Sequence, residues 1–230
     1  MRAPRLFVVI VAAGEGSRLG AGDRKAAVEI GGVPLAGHAL RALADAPGAH
    51  GGALVVHEAD VARARREWLP AYGGALRWQV VPGGETRPAS VAAGLACAPA
   101  DAELLLVHDG ARPLLDREDR DAVIAAAAAH GAAILAAPVA DTLKRVEREE
   151  IVSELDRAGV WGAQTPQVFS RAAFDRAAAL GPPSGTDEAG WLARAGVPVR
   201  VIAARHPNPK VTSPGDRALV EALIAARARG

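Results

Sequence analysis

The chain is poor in cysteine and in aromatic residues, and each shortage excludes a class of protein. Cys97 is the single cysteine among 230 residues, which excludes an internal disulfide framework and a metal site built from several cysteines. Its apolar, helix-like surroundings indicate a small buried side chain. Aromatic residues make up only 3% of the chain, whereas half of it is hydrophobic. Alanine, valine and leucine must therefore fill the core of a globular protein.

The sequence also lacks an excess of one charge and any long hydrophobic run. The 27 basic residues nearly balance 26 acidic ones, so no overall field attracts nucleic acid or an acidic membrane surface. The apolar run Leu6–Ala13 is short for a membrane span and leads into a glycine-rich turn, not a cleavage site. We therefore expect a cytoplasmic protein that binds neither nucleic acid nor membrane, with any anion site built locally.

Short apolar runs alternate with longer helical patterns along the chain. Six runs are typical of buried strands: 6–13, 53–57, 76–84, 102–113, 132–139 and 197–203. Five segments have apolar residues at helical spacing: 34–45, 60–72, 87–98, 116–131 and 213–229. This alternation predicts an α/β fold, a mostly parallel twisted sheet with helices on both faces. The length fits one domain over residues 1–230.

One segment, 139–162, breaks this rhythm. Its residues alternate roughly between apolar and polar, and its centre at 147–150 is charged. This pattern predicts a β-hairpin with a polar turn, an arm that projects from the main body.

Three of the predicted strands end in polar or glycine-rich loops, at 12–25, 83–90 and 109–113. The carboxyl ends of parallel strands meet at one edge of a sheet, and ligands bind there. We therefore expect these three loops to form a single site.

The first of these loops, AAGEGSRLGAGDRK, allows three kinds of phosphate site. It lacks the Gly-Lys pair of a P-loop. Leu19 occupies the third glycine position of the dinucleotide pattern, and the next predicted helix begins too late for that fold. A triphosphate cradle fits better, because Gly14 and Gly16 let backbone N–H groups approach phosphate. Arg18 and Lys25 would then face the charge that develops on phosphorus.

Later motifs narrow this interpretation to one family. They are GGETRPASV (83–91), VHDGARP (107–113), APVADTLKR (137–145), VWGAQTPQ (160–167), TDEA (186–189) and PKVTSPGD (209–216). In this order, over nearly the whole chain, the pattern resembles the 2-C-methyl-D-erythritol 4-phosphate cytidylyltransferases of the non-mevalonate isoprenoid pathway. The resemblance implies a Rossmann-like nucleotidyltransferase fold and transfer of CMP from CTP to a polyol phosphate, with release of pyrophosphate.

Three alternatives stay open at this point. Ribitol 5-phosphate cytidylyltransferases share these motifs and differ in the polyol pocket. A non-catalytic nucleotide-binding protein would be expected to lose Lys25 or Asp109, and both are present. An NAD-dependent oxidoreductase is disfavoured by the displaced third glycine.

The resemblance also implies roles for individual residues. Arg18, Lys25 and Lys210 would hold the phosphates of CTP and stabilise the transition state. Nucleotide contacts are implied for Ala12, Ala13, Gly14, Gly83, Glu85, Ser90 and Gly110. Polyol phosphate contacts are implied for Arg112, Asp141, Thr142 and Arg157. Because this family exchanges its arm, hairpin 139–162 would form a homodimer and complete the partner's site.

Asp109 is the candidate metal ligand, because it ends an apolar strand beside the phosphate loops. Mg²⁺ keeps several waters and takes few protein ligands when it binds a triphosphate, and other divalent cations would suit the same carboxylate. His108 is a poor second ligand, since neighbouring strand residues point to opposite faces. We expect His108 to be structural.

The sequence departs from the family pattern in three places. Arg24-Lys25-Ala26 stands where a Pro-Lys-Gln-like stretch is usual, and we expect the loss of proline to loosen the loop. Pro207 occupies a position where aspartate is common. Gly110 replaces a common alanine, which we expect to be a mild change.

Overall fold

The computed structural model describes residues 3–16 and 24–227. Its strands are β1 Leu6–Ala12, β2 Glu29–Ile30, β3 Val33–Pro34, β4 Ala49–Val56, β5 Trp78–Pro82, β6 Leu104–Asp109, β7 Ala132–Pro138, β8 Leu143–Glu147, β9 Glu150–Leu155, β10 Trp161–Ser170 and β11 Arg200–Ala203. Its helices are α1 Leu35–Leu43, α2 Val61–Arg63, α3 Leu69–Tyr72, α4 Arg87–Leu95, α5 Arg117–His130, α6 Arg171–Ala178, α7 Glu188–Arg194 and α8 Pro214–Arg227. A π-helical turn, Ala64–Trp68, joins α2 to α3, and Lys25–Ala27 and Glu58–Asp60 are 3₁₀ turns.

Seven strands form the central sheet, in the order β11-β7-β10-β6-β1-β4-β5. The pairs β1–β4, β1–β6, β4–β5 and β7–β11 are parallel, whereas β10 runs antiparallel to both of its neighbours. The predicted α/β fold with a mostly parallel sheet is therefore confirmed. Its parallel strands place the ends of β1, β4, β5 and β6 along one edge.

Helices cover both faces of this sheet, as predicted. Alternate residues of β1 point to opposite faces: Leu6, Val8 and Ile10 join a core with α1 and α5. Phe7 and Val9 join a second core with α4, α6 and α7. Every one of these five side chains is at most 2% exposed, so the strand that leads into the glycine-rich loop is held rigidly from both sides.

Strand β10 corrects the sequence interpretation. Trp161 and Gly162, which were assigned to the hairpin, begin this strand of the central sheet. The register of β10 against β7 shifts between Ala163 and Gln167, and this irregular, polar stretch conceals the strand's alternation. The hairpin itself is found as the separate pair β8–β9, between Leu143 and Leu155.

Two late helices begin at motif residues. Asp187 caps α7 by accepting a hydrogen bond from the Gly190 N–H at 2.9 Å. Asp216 accepts hydrogen bonds from the backbone and hydroxyl groups of Thr212 and Ser213 at the start of α8. These aspartates explain part of the TDEA and PKVTSPGD motifs as helix starts. No helix in the described ranges is long and apolar enough to cross a membrane.

Candidate active site

An open cavity of about 450 Å³ lies at the carboxyl edge of the sheet. Its walls come from the end of β1, the turn at Lys25, the loop after β5 with the start of α4, the end of β6 and the late segment 210–212. The lining residues are Val11–Gly16, Lys25, Ala26, Gly84–Arg87, Ser90, Asp109–Ala111, Lys210 and Thr212. The three loops predicted to open on one edge of the sheet therefore line one cavity.

Glycine lets the walls of this cavity approach one another. A Cβ on Gly83 would lie 2.3 Å from the Ala13 Cβ and 2.7 Å from the Ser90 Oγ. A Cβ on Gly110 would lie 2.8 Å from the Ala12 Cβ. An alanine at position 110 would therefore require the two walls to move apart.

Ser90 supports the backbone of the loop at 83–90, the second of the three loops. Its side chain is 2% exposed, and its hydroxyl oxygen accepts a hydrogen bond from the Gly84 N–H at 3.1 Å. The same hydroxyl lies 3.3 Å from the Gly84 carbonyl oxygen, to which it can donate. Ser90 thereby fixes the backbone that leads to Glu85, whose exposed side chain lines the cavity.

A cluster of charges surrounds Asp109 at the floor of the cavity. Its Oδ1 accepts a hydrogen bond from Arg87 Nε at 3.0 Å, and its Oδ2 accepts one from Lys210 Nζ at 2.8 Å. Arg112 Nε lies 3.7 Å from Oδ2. Arg87 also donates two hydrogen bonds to the carboxylate of Glu188, at 2.8 and 3.1 Å. We call these five residues the charge cluster.

The charge cluster keeps Asp109 ionised although it is only 6% exposed. Burial alone would raise the pKa of Asp109, but Arg87 and Lys210 outweigh burial and hold that pKa far below its usual range. For Glu188 the balance differs, since burial raises its pKa in spite of the paired Arg87. Three cations face two carboxylates in the cluster, so an excess of positive charge remains for an anion.

His108 lies beneath the cluster and is completely buried. Thr165 Oγ1 accepts a hydrogen bond from the Asp109 N–H and lies 3.0 Å from His108 Nδ1. On the other side of the ring, Nε2 lies 3.2 Å from the Arg112 carbonyl oxygen. A carbonyl only accepts, so Nε2 carries the proton and Nδ1 accepts from Thr165. Burial lowers the pKa of His108 to about 4, and the ring acts as the expected structural group.

The segment before Lys210 is held by buried hydrogen bonds. Asn208, 3% exposed, donates to the Thr165 carbonyl at 2.9 Å and to Gln164 Oε1 at 3.1 Å. The backbone carbonyl of Asn208 accepts a hydrogen bond from Arg112 Nη1 at 2.7 Å. These contacts join β10, the turn after β6 and the late segment. They place Lys210 and Arg112 beside the same carboxylate.

The structure brings most of the predicted nucleotide residues together, with two exceptions. Lys25, Lys210, Asp109, Ala12, Ala13, Gly14, Glu85, Ser90 and Gly110 line the cavity. Gly83 does not line it, because its backbone packs against Ala13 and Gly84 takes its place. Arg18 lies outside the described residues.

The residues predicted to bind the polyol phosphate divide into two groups. Arg112 lines a smaller cavity of about 180 Å³ that shares Arg87, Asp109 and Lys210 with the larger one. Asp141, Thr142 and Arg157 are exposed at the base of the hairpin, where Arg157 donates to the Ala140 carbonyl. Neither cavity is lined by these three residues of the same chain.

Sequence reasoning missed Arg87, Glu188 and Thr165 as parts of this site. Each lies in a motif that was recognised, yet no local signal pairs Arg87 with a carboxylate 101 positions later. Glu188 gave no sequence signal either, because it sits in the first turn of α7, where acidic residues are ordinary, and only the fold shows that it is 2% exposed. In the described ranges, no group of three or more His, Cys, Asp or Glu residues could hold a metal ion.

Comparison with known proteins agrees with this geometry. A family model described as 2-C-methyl-D-erythritol 4-phosphate cytidylyltransferase matches residues 6–226. An enzyme of that name from Pelotomaculum thermopropionicum is 39% identical, over 97% of this chain and 95% of its own. Another, from Streptomyces coelicolor, is 40% identical over 97% of this chain and 86% of its own.

A solved structure is also similar. The crystal structure of 2-C-methyl-D-erythritol 4-phosphate cytidylyltransferase from Thermus thermophilus superimposes with a TM-score of 0.75. It is 31% identical and covers 97% of this chain and 98% of its own. Sequence and fold therefore place this chain in one family.

Proposed function

The chain belongs to the 2-C-methyl-D-erythritol 4-phosphate cytidylyltransferase family, and we propose that it transfers CMP from CTP to 2-C-methyl-D-erythritol 4-phosphate. The products are 4-diphosphocytidyl-2-C-methyl-D-erythritol and pyrophosphate, within isoprenoid precursor biosynthesis. One observation carries the proposal. Lys25 and Lys210 line one cavity at the carboxyl edge of the sheet, between glycine-rich walls and beside the ionised Asp109.

The reaction needs positioning and positive charge more than a nucleophilic side chain. An oxygen of the polyol phosphate attacks the α-phosphorus of CTP, the bond to the β-phosphate oxygen breaks, and pyrophosphate leaves. Negative charge spreads over the phosphoryl oxygens as this happens, and nearby cations stabilise it. Lys25 and Lys210, with Arg18, would supply these cations.

Lys210 is suited to move between two anions. It bonds to Asp109 at 2.8 Å, and 36% of its side chain remains exposed. A bound triphosphate would attract Lys210 away from a carboxylate that Arg87 continues to neutralise. Asp109 thus holds Lys210 at the cavity until an anion arrives.

The nucleoside would lie between the first and second loops. Ala12, Ala13 and Gly14 offer backbone groups there, opposite Glu85 and Ser90. Gly83 and Ala13 are packed so closely that a single Cβ would not fit between them. We propose that backbone donors and acceptors of these loops, together with size exclusion, favour a pyrimidine such as cytosine over a purine.

A divalent cation fits this site when most of its ligands come from the nucleotide. Asp109 lines the cavity with an ionised carboxylate, and each of its oxygens has a second lone pair beyond its present hydrogen bond. Mg²⁺ commonly takes one or two protein carboxylates and completes its shell with phosphate and water. When bound, Mg²⁺ would neutralise part of the triphosphate charge, with Asp109 as its protein ligand.

The polyol phosphate would bind beside Arg112, in the smaller cavity. We propose that a second copy of the chain completes this site with Asp141, Thr142 and Arg157 from hairpin 139–162. Support comes from the surface of the hairpin β8–β9 and of the residues that follow it up to Trp161. Of the nine large exposed hydrophobic side chains in the described ranges, six lie between residues 146 and 161: Val146, Ile151, Val152, Leu155, Val160 and Trp161. A homodimer would cover them.

The proposed location is the cytoplasm. A chain with a single cysteine contains no internal disulfide that an oxidising compartment would have to form. Cell fractionation with an antibody against the chain would check this location.

Pyrophosphate release tests the proposed function. With CTP, Mg²⁺ and 2-C-methyl-D-erythritol 4-phosphate, the chain should turn over, and Lys25→Ala should lose at least ~100-fold in kcat, the scale of one transition-state charge contact. Arg63→Ala, which removes an exposed arginine paired with Glu67, is the matched control and should keep full activity. An unchanged rate for Lys25→Ala would refute the role given to that lysine.

The same assay separates the two polyol phosphates. At equal concentration, ribitol 5-phosphate should react more slowly than 2-C-methyl-D-erythritol 4-phosphate. A tenfold preference for ribitol 5-phosphate would overturn the proposed substrate and leave cytidylyl transfer intact.

A further inference from the structure

Arg24, the residue before Lys25, makes a two-pronged ion pair with a buried carboxylate. Its Nε lies 2.7 Å from Asp60 Oδ2, and its Nη2 lies 2.7 Å from Asp60 Oδ1. Asp60 is 2% exposed, whereas 39% of the Arg24 side chain is exposed. A forked pair of this kind fixes direction as well as distance. Because a buried carboxylate needs its partner, Arg24 has little freedom to leave it.

This pair joins two loops at the carboxyl edge of the sheet. Arg24 lies in the loop after β1, directly before the turn at Lys25, and Asp60 ends the 3₁₀ turn after β4. Since β1 and β4 are hydrogen-bonded neighbours, the turn at Asp60 is a fixed point beside the loop. The ion pair therefore connects the far end of the phosphate loop to the rigid sheet.

The other side of Lys25 is fixed as well. Ala26 and Ala27 are 3% and 5% exposed and pack in the core beneath α1. The Ala27 N–H donates to the Arg24 carbonyl at 2.9 Å, which closes the turn around Lys25. Within this turn, Lys25 and its neighbour Ala26 line the cavity.

The near end of the loop packs directly against this turn. A Cβ on Gly16 would lie 2.9 Å from the Lys25 Cβ and 3.1 Å from the Lys25 backbone nitrogen. The position of Lys25 thus also sets the position of Gly16, which lines the same cavity.

We infer that Arg24, through its ion pair with Asp60, is the positioning residue that holds Lys25 against the phosphates. The inference rests on the role given to Lys25 in the proposed function. It also replaces the expectation that losing proline loosens the loop. Arg24 has a φ of −65° and a ψ of 146°, the φ that a proline ring would impose, and its side chain adds an anchor that proline lacks.

Arg24 acts through Lys25, and it is not itself a phosphate ligand. Its guanidinium is committed to Asp60, and Arg24 does not line the cavity. Misplacing a catalytic group by about 1 Å can cost up to ~100-fold in rate. We therefore expect Arg24→Ala to lower kcat roughly tenfold, with KM for the polyol phosphate nearly unchanged.

A double-mutant cycle on the full chain tests the inference. Pyrophosphate release is measured for Arg24→Ala, Lys25→Ala and the double variant, with unfolding temperatures recorded for each. If Arg24 works through Lys25, its substitution should have no further effect once Lys25 is absent. A loss that is equally large in the Lys25→Ala background would overturn the inference, because it would reveal an independent or purely structural role.

Two further variants keep the test decisive. Should Arg24→Ala be too unstable to assay, Arg24→Gln combined with Asp60→Asn removes both charges and leaves a neutral hydrogen-bonding pair; this variant should also lose kcat only when Lys25 is present. Arg217→Ala removes an arginine of similar exposure, paired with Glu221 on α8, and should change neither rate nor KM.

The unmodified chain separates failure of the inference from failure of the proposed function. If it does not release pyrophosphate from CTP, the proposed function is wrong and the inference falls with it. If it does, and Arg24→Ala retains the full rate, the inference alone is overturned.

Discussion

The charge cluster and the hairpin β8–β9 are opposite kinds of surface within one chain. In the cluster, Asp109 and Glu188 are buried, and each is hydrogen-bonded to Arg87. In the hairpin, every residue of β9 is exposed, and Ile151 is 67% exposed. The cluster is complete within one chain, whereas the hairpin presents apolar side chains that this chain does not cover. The difference separates the part of the site that folds with the chain from the part that we assign to a partner.

The largest expected effect tests whether the stability of the charge cluster depends on its ion pairs. Arg87→Ala leaves Glu188 buried without a counter-charge and removes one partner of Asp109, so we expect about 3–5 kcal/mol of lost stability. Urea unfolding monitored by tryptophan fluorescence measures this loss. The exposed pair Arg217–Glu221 on α8 provides the control, since Arg217→Ala should cost no more than about 1 kcal/mol.

A second substitution sharpens that result. Adding Glu188→Gln to Arg87→Ala removes the unpaired charge, so part of the lost stability should return. If the double variant is as unstable as the single one, the cost comes from lost packing and the cluster is not held by its charges.

A substitution in the hairpin should change the oligomeric state of the protein and not the intrinsic stability of the monomer. Ile151→Asp places a charge on the exposed apolar surface, so we expect the proposed homodimer to dissociate to monomers, while each monomer stays folded and loses only the stability that dimerisation adds. Analytical ultracentrifugation measures the mass, and pyrophosphate release should show a raised KM for the polyol phosphate.

Leu180→Asp is the matched control, because Leu180 is 71% exposed and lies outside the hairpin. It should leave both the mass and the KM unchanged. A wild-type chain that is monomeric at assay concentrations would contradict the role given to the hairpin.

The smallest expected effect concerns Asp216, a carboxylate that lies outside both the charge cluster and the hairpin. Hydrogen bonds from Thr212 and Ser213 lower the pKa of Asp216 to about 2. Asp216→Asn weakens the start of α8 and should cost about 1 kcal/mol. Because the folded pKa is below the usual value of 3.8, the carboxylate's contribution is complete above that value and is lost as the pH falls toward 2.

Urea unfolding at several pH values checks the sign of this effect. The stability difference between wild type and Asp216→Asn should shrink as the pH falls from about 4 to about 2. A difference that stays constant over this range would show that the carboxylate charge contributes nothing to the cap.

The sequence was most informative where one feature decided the structure. Apolar runs such as Leu104–Asp109 predicted the parallel strands, because strands buried on both faces contain almost no polar residues. Strand β10 escaped prediction, since Gln164, Thr165 and Gln167 interrupt its apolar pattern. Those polar groups are satisfied by distant partners: Gln167, for example, accepts from the Ala189 N–H and donates to Asp187.

The residues of the candidate site also divide into those that the sequence could predict and those that it could not. Lys25, Asp109 and Lys210 follow recognisable motifs, and the sheet edge brings them together as expected. Arg87 and Arg24 could not be assigned, because their partners Glu188 and Asp60 are distant in sequence and become neighbours only in the folded chain. Charge pairing across the fold is a tertiary property, and a single sequence contains no local signal for it.

The hydrogen-bonded pair of Thr165 and His108 affects how the charge of the site depends on pH. A histidine near a catalytic centre is ordinarily the group that gains charge as a cell acidifies. Here the ring stays neutral down to a pH of about 4, so no new positive charge arises beneath Asp109 during ordinary metabolic acidification. His108 therefore adds no cation beside Asp109, and the positive charge that faces a triphosphate comes from the lysine and arginine side chains alone.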